Sequence, residues 1–492
     1  MGRDGRRIAV IGGGLTGLSA AYYLLRLARE RGQKVEAIVI EGSGRLGGKV
    51  NTLRRDGFVI ERGPDSFLGR KLPMLHLARD LNLLDELVGT NPAAVKTYIA
   101  LDGKLNPMPK GMNLGIPNDL GAFARNSLIS PFGKMRALDD LRLPRLAEEK
   151  EETVGAFLER RLGKEMVERI AEPLLAGIHA GDLYKLGLYA TFPQFADMER
   201  RYGSVIRGMI EARRTAPAAG AKAAQLRSAA VGGASIPPTA FLTFRSGLSV
   251  VIETLERRLR DMGCEIRLGG EVETLEKAGA AGAAEDGSSG RYRLRLADGT
   301  VYEADDVLLT LPAYADARLL EPHLDVSALS TMDYVSVANV VLAYDDREFG
   351  RKLDGSGFLV PKSEGRTITA STWTSSKWLH TAPRGKKLIR CYVGRAGDED
   401  AVELDDERMA LAVRRDLRDL MGLEAKPLFV EITRLRRSMP QYPVGHLERI
   451  AALRDELNAR LPGVLVAGAP FEGVGLPDCV EQGKAAAERL LA

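Results

Sequence analysis

Ile8-Ala9-Val10-Ile11 runs directly into Gly12-Gly13-Gly14-Leu15-Thr16-Gly17, and this order reads as buried strand, tight turn and helix. Four apolar residues make a short interior strand. In Gly12-x-Gly14-x-x-Gly17 the first glycine permits the sharp turn, the second lets backbone N–H groups approach a diphosphate, and the third lets the helix pack closely on the sheet. The helix predicted over 15–30 points its positive end at that anion. A second apolar strand, predicted over 35–40, ends on Glu41, where a carboxylate is placed to accept hydrogen bonds from an adenosine ribose. A GxGxxG alone is a weak signal; followed by a helix, a second strand and an acidic tip, it predicts a dinucleotide site.

Working outward, the 492 residues are enough for about three domains, and a net charge of +4 with no long basic tract does not imply nucleic acid. Cys264, Cys391 and Cys479 lie far apart, outside any CxxC or CxxH pattern, and read as buried free thiols. The five histidines show no metal-ligand spacing. The near match to a phosphate loop that ends at Gly48-Lys49 lacks the required Ser or Thr. An uncharged run over 8–25, preceded by Arg6-Arg7, has the length of a marginal membrane span or signal peptide. Its four glycines favour the strand and helix instead, and the chain reads as unprocessed and intracellular.

After Glu41 a second glycine turn follows. Gly47 and Gly48 let the backbone pass close to the cofactor diphosphate, and Arg45 or Lys49 adds positive charge. The next strand runs through Val59 and Ile60 into Glu61-Arg62-Gly63-Pro64-Asp65, a turn that brings backbone and side-chain groups to one place.

These turns resemble the FAD-dependent superfamily of amine oxidases, phytoene desaturases and porphyrinogen oxidases. The run Glu61 to Leu68 (ERGPDSFL) is closely similar to the oxygen-dependent porphyrinogen oxidases of haem synthesis, especially the Gram-positive type. Agreement extends through PMPKG at 107–111, EPLLAGIHAGD at 172–182, TFPQF at 191–195, SMPQY at 438–442 and the stretch 471–483. The resemblance implies an α/β fold in which a Rossmann-like FAD-binding domain (1–72, 237–310 and 430–492) is interleaved with an antiparallel-sheet substrate domain (73–95 and 311–429). A helical domain (96–214) that can touch membranes and a linker (215–236) complete the expected organisation.

It also implies roles. FAD would be held by Gly12, Gly13, Gly14, Leu15, Thr16 and Gly17, by Glu41, Arg45, Gly47 and Gly48, and by Arg62, Gly63, Pro64 and Asp65. Val272 would meet the adenine end, and Val474, Gly475 and Leu476 the flavin ring and ribityl chain. Hydride would leave a porphyrinogen bridging carbon for the flavin, O2 would reoxidise it to give hydrogen peroxide, and no Ser/His/Asp constellation or metal is expected. Arg70 and Lys71 are the candidate cations for substrate propionates. Gly177 and Ile178 would lie over the flavin face, and His179, where this family often has tyrosine or phenylalanine, reads as packing. Leu435 replaces a common flavin-contacting tryptophan and receives no role. The Gram-positive resemblance favours coproporphyrinogen III. Protoporphyrinogen IX oxidation and amine oxidation are the alternatives, and the intact glycine turn near the carboxy terminus argues against a non-catalytic chaperone of this fold. Partners would be the porphyrinogen and O2, with peripheral contact at the inner face of the membrane and transient contact with the next haem-pathway enzyme; the oligomeric state is left open.

Elsewhere the patterns predict amphipathic helices over 74–87 and 154–175, a solvated charge run over 148–152, a flexible connection over 215–238 and a helix over 248–261. Strands are predicted at 265–268 and 272–275, two more between 292 and 311, with an inert loop over 278–290. β-rich segments at 336–344, 367–374 and 387–393 predict an antiparallel sheet, with Trp373 and Trp378 in its core. A strand at 464–467 and a helix over 479–490 return a second positive helix end to the cofactor.

Overall fold

The computed structural model describes residues 5–146, 150–215, 221–278 and 291–492. A five-stranded parallel sheet runs in the order Glu265–Leu268, Val35–Glu41, Arg6–Ile11, Asp306–Leu309, Val464–Val466. Ile8, Ala9, Val10 and Ile11 are all buried, as a strand covered on both faces requires. Ile8 and Val10 face a core shared with helices Leu15–Glu30, Ser249–Asp261 and Leu476–Leu490. Ala9 and Ile11 face a second core built from the strands Val272–Lys277 and Tyr292–Leu296 and helices Ala313–Leu320 and His446–Arg460. The first and last helices pack so closely that a Cβ on Gly483 would lie 2.6 Å from the Thr16 carbonyl oxygen.

The second sheet has seven strands, in the order Phe429–Pro440, Tyr334–Asp345, Lys386–Val393, Ile368–Thr372, Gly355–Leu359, Lys96–Leu101, Lys104–Pro107. On one face Val340, Leu342, Ile389 and Cys391 pack on helix Asp406–Met421. On the other, Val341, Ala343 and Leu388 meet Phe58 and Ile60 of the hairpin Thr52–Arg55/Phe58–Glu61. That face joins the large sheet to the half built on the parallel sheet. Trp373 and Trp378 are each 1% exposed, in agreement with a core role, and all three cysteines are buried and free.

Several local expectations are corrected. The helix expected over 154–175 breaks: Val154–Leu162 stops at Gly163 (φ +85°), and the chain resumes as Lys164–Met166 and a wide, π-type turn at Val167–Ala176 that contains Pro173. Proline lacks the N–H an α-helix needs at that point, so the wider pitch is the local solution. The helix expected over 74–87 is Pro73–Asp80, ended before Asn82 (φ +59°). Within the expected flexible connection, alanine-rich Ala221–Ala230 is helical, as its propensity favours. The stretch 292–311 holds three strands, not two. Lys96–Pro107 and Phe429–Pro440 belong to the large sheet, although the expected domain bounds put them with the helical and FAD-binding domains.

The loop residues 279–290, and Glu148 and Glu149 of the charge run, lie outside the described residues. Glu151 and Glu152 are not simply solvated: Glu151 accepts from the backbone of Tyr189 and Gly445, and Glu152 pairs with Arg160. No helix among the described residues is long and apolar enough to cross a membrane.

Candidate cofactor and substrate site

The first glycine turn is built to receive an anion with backbone alone. Gly14 caps the helix Leu15–Glu30 with no side-chain hydrogen bond, and the helix's first turn holds no acidic residue. A Cβ on Gly17 would sit 2.0 Å from the Gly12 carbonyl oxygen, whereas one on Gly14 would meet nothing within 4 Å. The third glycine is therefore a packing necessity, and the second faces open space. The Glu41 carboxylate accepts Gly13 N–H at 2.7 Å and Ser43 N–H at 2.8 Å. A carboxylate has about four acceptor sites, so two remain for a ribose. Gly270 N donates to the Glu41 carbonyl, which sets buried Val272 beside that strand end.

The second glycine turn docks on the first through Gly47 N to Gly13 O, 2.8 Å. Arg45 is committed to that turn itself, donating to the carbonyls of Leu46, Gly48 and Val50. It braces the loop. Lys49 reaches the Ser438 carbonyl across the molecule, and the surrounding protein lowers its pKa by desolvation.

The third turn is pressed onto the second: a Cβ on Gly63 would lie 1.7 Å from the Lys49 carbonyl oxygen. Arg62 pairs with Glu431 at 2.5 Å and its carbonyl accepts from Asn339. Burial alone would raise the Asp65 pKa, but Lys377, Arg390 and a hydrogen bond from the Ser66 hydroxyl hold it down at about 2. Burial pushes Glu61 the other way, up to about 7, against hydrogen bonds from Leu248 N–H and the Thr52 hydroxyl.

The last turn closes the ring of backbone. Gly475 caps helix Leu476–Leu490 with no side-chain hydrogen bond, and Val474, Gly475 and Leu476 are half-buried. Tyr442 fastens this turn, its hydroxyl donating to Ala469 O and accepting from Gly473 N. His446 stacks on Tyr442 with ring centroids 4.3 Å apart and reaches Phe471 O.

The proposed substrate residues are placed unequally. Lys71 already pairs with Asp478 in the first turn of the terminal helix, at 2.6 and 2.7 Å. Arg70 is exposed and none of its N–H groups has a partner among the described residues. Gly177 and Ile178 are exposed, and a Cβ on Gly177 would meet nothing within 4 Å. His179 is buried against the rings of Phe192 and Tyr442, and burial lowers its pKa to about 4, so it is neutral at pH 7. Gln441 donates to the His179 carbonyl. The SMPQY segment thus frames both the 177–179 turn and the terminal glycine turn. The motif is visible in the sequence but the roles of Gln441 and Tyr442 are not, because side-chain to backbone bonds across 262 and 27 residues leave no local signal.

Residues 15–491 match the family model for flavin-containing amine oxidoreductases. The chain belongs to this family. It is 40% identical to a coproporphyrinogen III oxidase of Bacillus subtilis (strain 168), over 98% of this chain and 97% of that one. It is 38% identical to the Staphylococcus aureus enzyme of the same name over 99% of both, and 29% identical to a chloroplastic protoporphyrinogen oxidase of Nicotiana tabacum over 96% and 83%. Among solved structures, a protein from Exiguobacterium sp. 255-15, provisionally called a protoporphyrinogen oxidase, superposes with TM-score 0.84 at 35% identity over 99% of both chains. As a family member the chain is an FAD-dependent oxidoreductase, and its bare helix end, glycine cradle and half-occupied Glu41 carboxylate fit that cofactor. The amine-oxidising members share the fold: putrescine oxidase superposes with TM-score 0.65 at 16% identity.

Proposed function

We propose that this chain oxidises coproporphyrinogen III to coproporphyrin III, with O2 as acceptor and hydrogen peroxide as by-product. The observation that carries the reading is the full-length similarity, at 38–40% identity, to two coproporphyrinogen III oxidases, against 29% to the tobacco protoporphyrinogen oxidase. When bound, FAD accepts hydride from the substrate and passes the electrons to O2. The protein binds, orients and excludes water.

In this reading Gly12, Gly13, Gly14, Leu15, Thr16 and Gly17 hold the diphosphate, and Glu41 and Val272 the adenosine end. Gly47, Gly48 and the turn Arg62, Gly63, Pro64, Asp65 line the middle, with Arg45 as the brace of its loop. Val474, Gly475 and Leu476 meet the flavin. Exposed Gly177 and Ile178 present a small, uncharged surface to the macrocycle, and neutral His179 behind them adds no charge. Arg70, with its N–H groups unshared, is the first cation for a propionate. Lys71 is the second, since it must leave Asp478 to reach one.

The helix Pro131–Leu138 exposes Phe132 and Met135, with Lys134 between them, which supports peripheral contact with an anionic membrane; cosedimentation with vesicles tests it. Hand-over to the next haem-pathway enzyme belongs to the same reading.

Anaerobic addition of coproporphyrinogen III to the purified flavoprotein tests the activity. Bleaching of the flavin bands, porphyrin fluorescence, and peroxide on admitting air are expected. A flavin that responds to protoporphyrinogen IX alone would shift the substrate, and one unmoved by either would overturn the reading.

A further inference from the structure

Behind the turn Arg62–Asp65 lies a small cavity of about 20 Å3, enough for one water molecule. It is lined by Glu61 and Asp65 from the cofactor-binding half, Arg390 and Leu388 from the large sheet, and Trp378 and His380 from the loop beside that sheet. Arg390 is 4% exposed, crosses from the sheet and donates to the Gly63 carbonyl. Its Nε and Nη1 are buried without a protein acceptor. Lys377 approaches Asp65 at 3.5 Å, and its ammonium also lies 5.1 Å from the Trp378 ring centroid and 5.3 Å from that of Phe241.

Two cations from the second half of the molecule thus grip one four-residue turn of the first. A guanidinium that only fastens the sheet to its covering helix pairs with that helix, as Arg366, just before strand Ile368–Thr372, does with Asp416 and Asp419 of helix Asp406–Met421. Among the described residues, the Arg390 guanidinium directs its hydrogen bond to the carbonyl of a glycine whose position is already forced by the Lys49 carbonyl. Lys377 keeps Asp65 ionised beside it, so the turn is held at both ends, by a backbone bond and by an ion pair.

We propose that Arg390 and Lys377 are positioning residues for FAD: acting through Gly63 and Asp65, they fix the turn Arg62–Asp65 from behind, so that cofactor affinity depends on how the large sheet docks. The inference rests on the reading that this turn lines the cofactor, and it does not depend on which substrate is oxidised.

The test is FAD affinity in the full-length chain without porphyrinogen, by titrating the deflavinated protein and following flavin fluorescence. Hydrogen bonds to charged groups are the strong ones, so Arg390→Met is expected to weaken FAD roughly tenfold or more, with Arg390→Lys recovering some of the loss. Lys377→Met, at a partly exposed site where folding is not at risk, should weaken FAD by several-fold, roughly half the Arg390→Met effect on a logarithmic scale. Arg366→Met, on the opposite face of the same sheet, controls for general loosening and should leave FAD affinity within about twofold. Unchanged affinity in both Lys377→Met and Arg390→Met, or an equal loss in Arg366→Met, would overturn the proposal. Since no porphyrinogen is present, failure of the substrate reading leaves a different signature: FAD binds normally and no porphyrin forms.

Discussion

At Gly63 a methyl group has nowhere to go, because the nearest atom is a backbone carbonyl 1.7 Å away that belongs to the adjoining glycine turn. Gly63→Ala therefore forces apart the two turns proposed to line the cofactor, and a loss of about 1–3 kcal/mol with a steep fall in FAD content is expected, read by chemical unfolding and by the flavin-to-protein absorbance ratio. Glu61 gives the second residue-scale expectation. Its folded pKa, about 7, lies above its usual 4.5, so below pH 4.5 both native and unfolded chains hold the proton. Between 4.5 and 7 the unfolded chain has released it while the native one has not, and stability falls as pH rises through that window, by roughly 3 kcal/mol in all. Glu61→Gln should flatten this region of the pH profile in denaturant titrations; an unchanged slope would assign the window to other groups. For Arg70 the expectation is kinetic: Arg70→Ala raises KM for coproporphyrinogen III with kcat little changed, as loss of uniform binding does.

At the scale of elements, the terminal glycine turn is bound at two of its residues by a single hydroxyl from outside it, that of Tyr442. Tyr442→Phe leaves the Gly473 N–H and the Ala469 carbonyl without their partner. A cost of about 1–3 kcal/mol is expected, together with faster FAD release on dilution. Normal FAD retention would show that the turn keeps its shape through its other contacts, Gln482 with Gly468 and His446 with Phe471 among them. In the half built on the parallel sheet, the helix Leu15–Glu30 and the strand Glu265–Leu268 stand where the apolar pattern puts them, whereas the terminal helix begins three residues before the expected 479 and the stretch 292–311 holds one strand more than expected. The helical region is less legible. Its break at Gly163 and its π-type stretch around Pro173 depend on how Ile170, Ala171 and Leu175 pack into their own core, which periodicity does not encode. The helix Ala221–Ala230 escapes a reading that weighs an Ala- and Gly-rich stretch by its breakers and not by the run of good helix formers inside it.

Across the whole molecule, the parallel sheet is assembled from five chain segments that span residues 6 to 466, and the glycine turns proposed to hold FAD come from both ends of the sequence. FAD bound in this way would stabilise the fold by mass action, adding about 2.7 kcal/mol at a free concentration one hundred times its Kd. The deflavinated chain should accordingly unfold at a lower temperature, and calorimetry across FAD concentrations should show the midpoint climbing with each tenfold step; a midpoint independent of FAD would mean that the unfolding unit excludes the cofactor half.

The sequence by itself determined the dinucleotide fold, the glycine turns and the family resemblance, since each rests on residue types at short spacing: glycines where only glycine fits, an apolar run before them, a carboxylate at the next strand tip. What only the tertiary structure decided is which charges are free to act. Arg45, Lys49 and Lys71 look alike in the sequence as cations near the cofactor. Folding commits Arg45 to its own loop's carbonyls, Lys49 to Ser438 and Lys71 to Asp478, while Arg70, next in the chain to Lys71, has an exposed guanidinium with no partner among the described residues. A charged side chain takes whichever counterpart the fold brings within reach, and the partners of Lys49 and Lys71 lie 389 and 407 residues away.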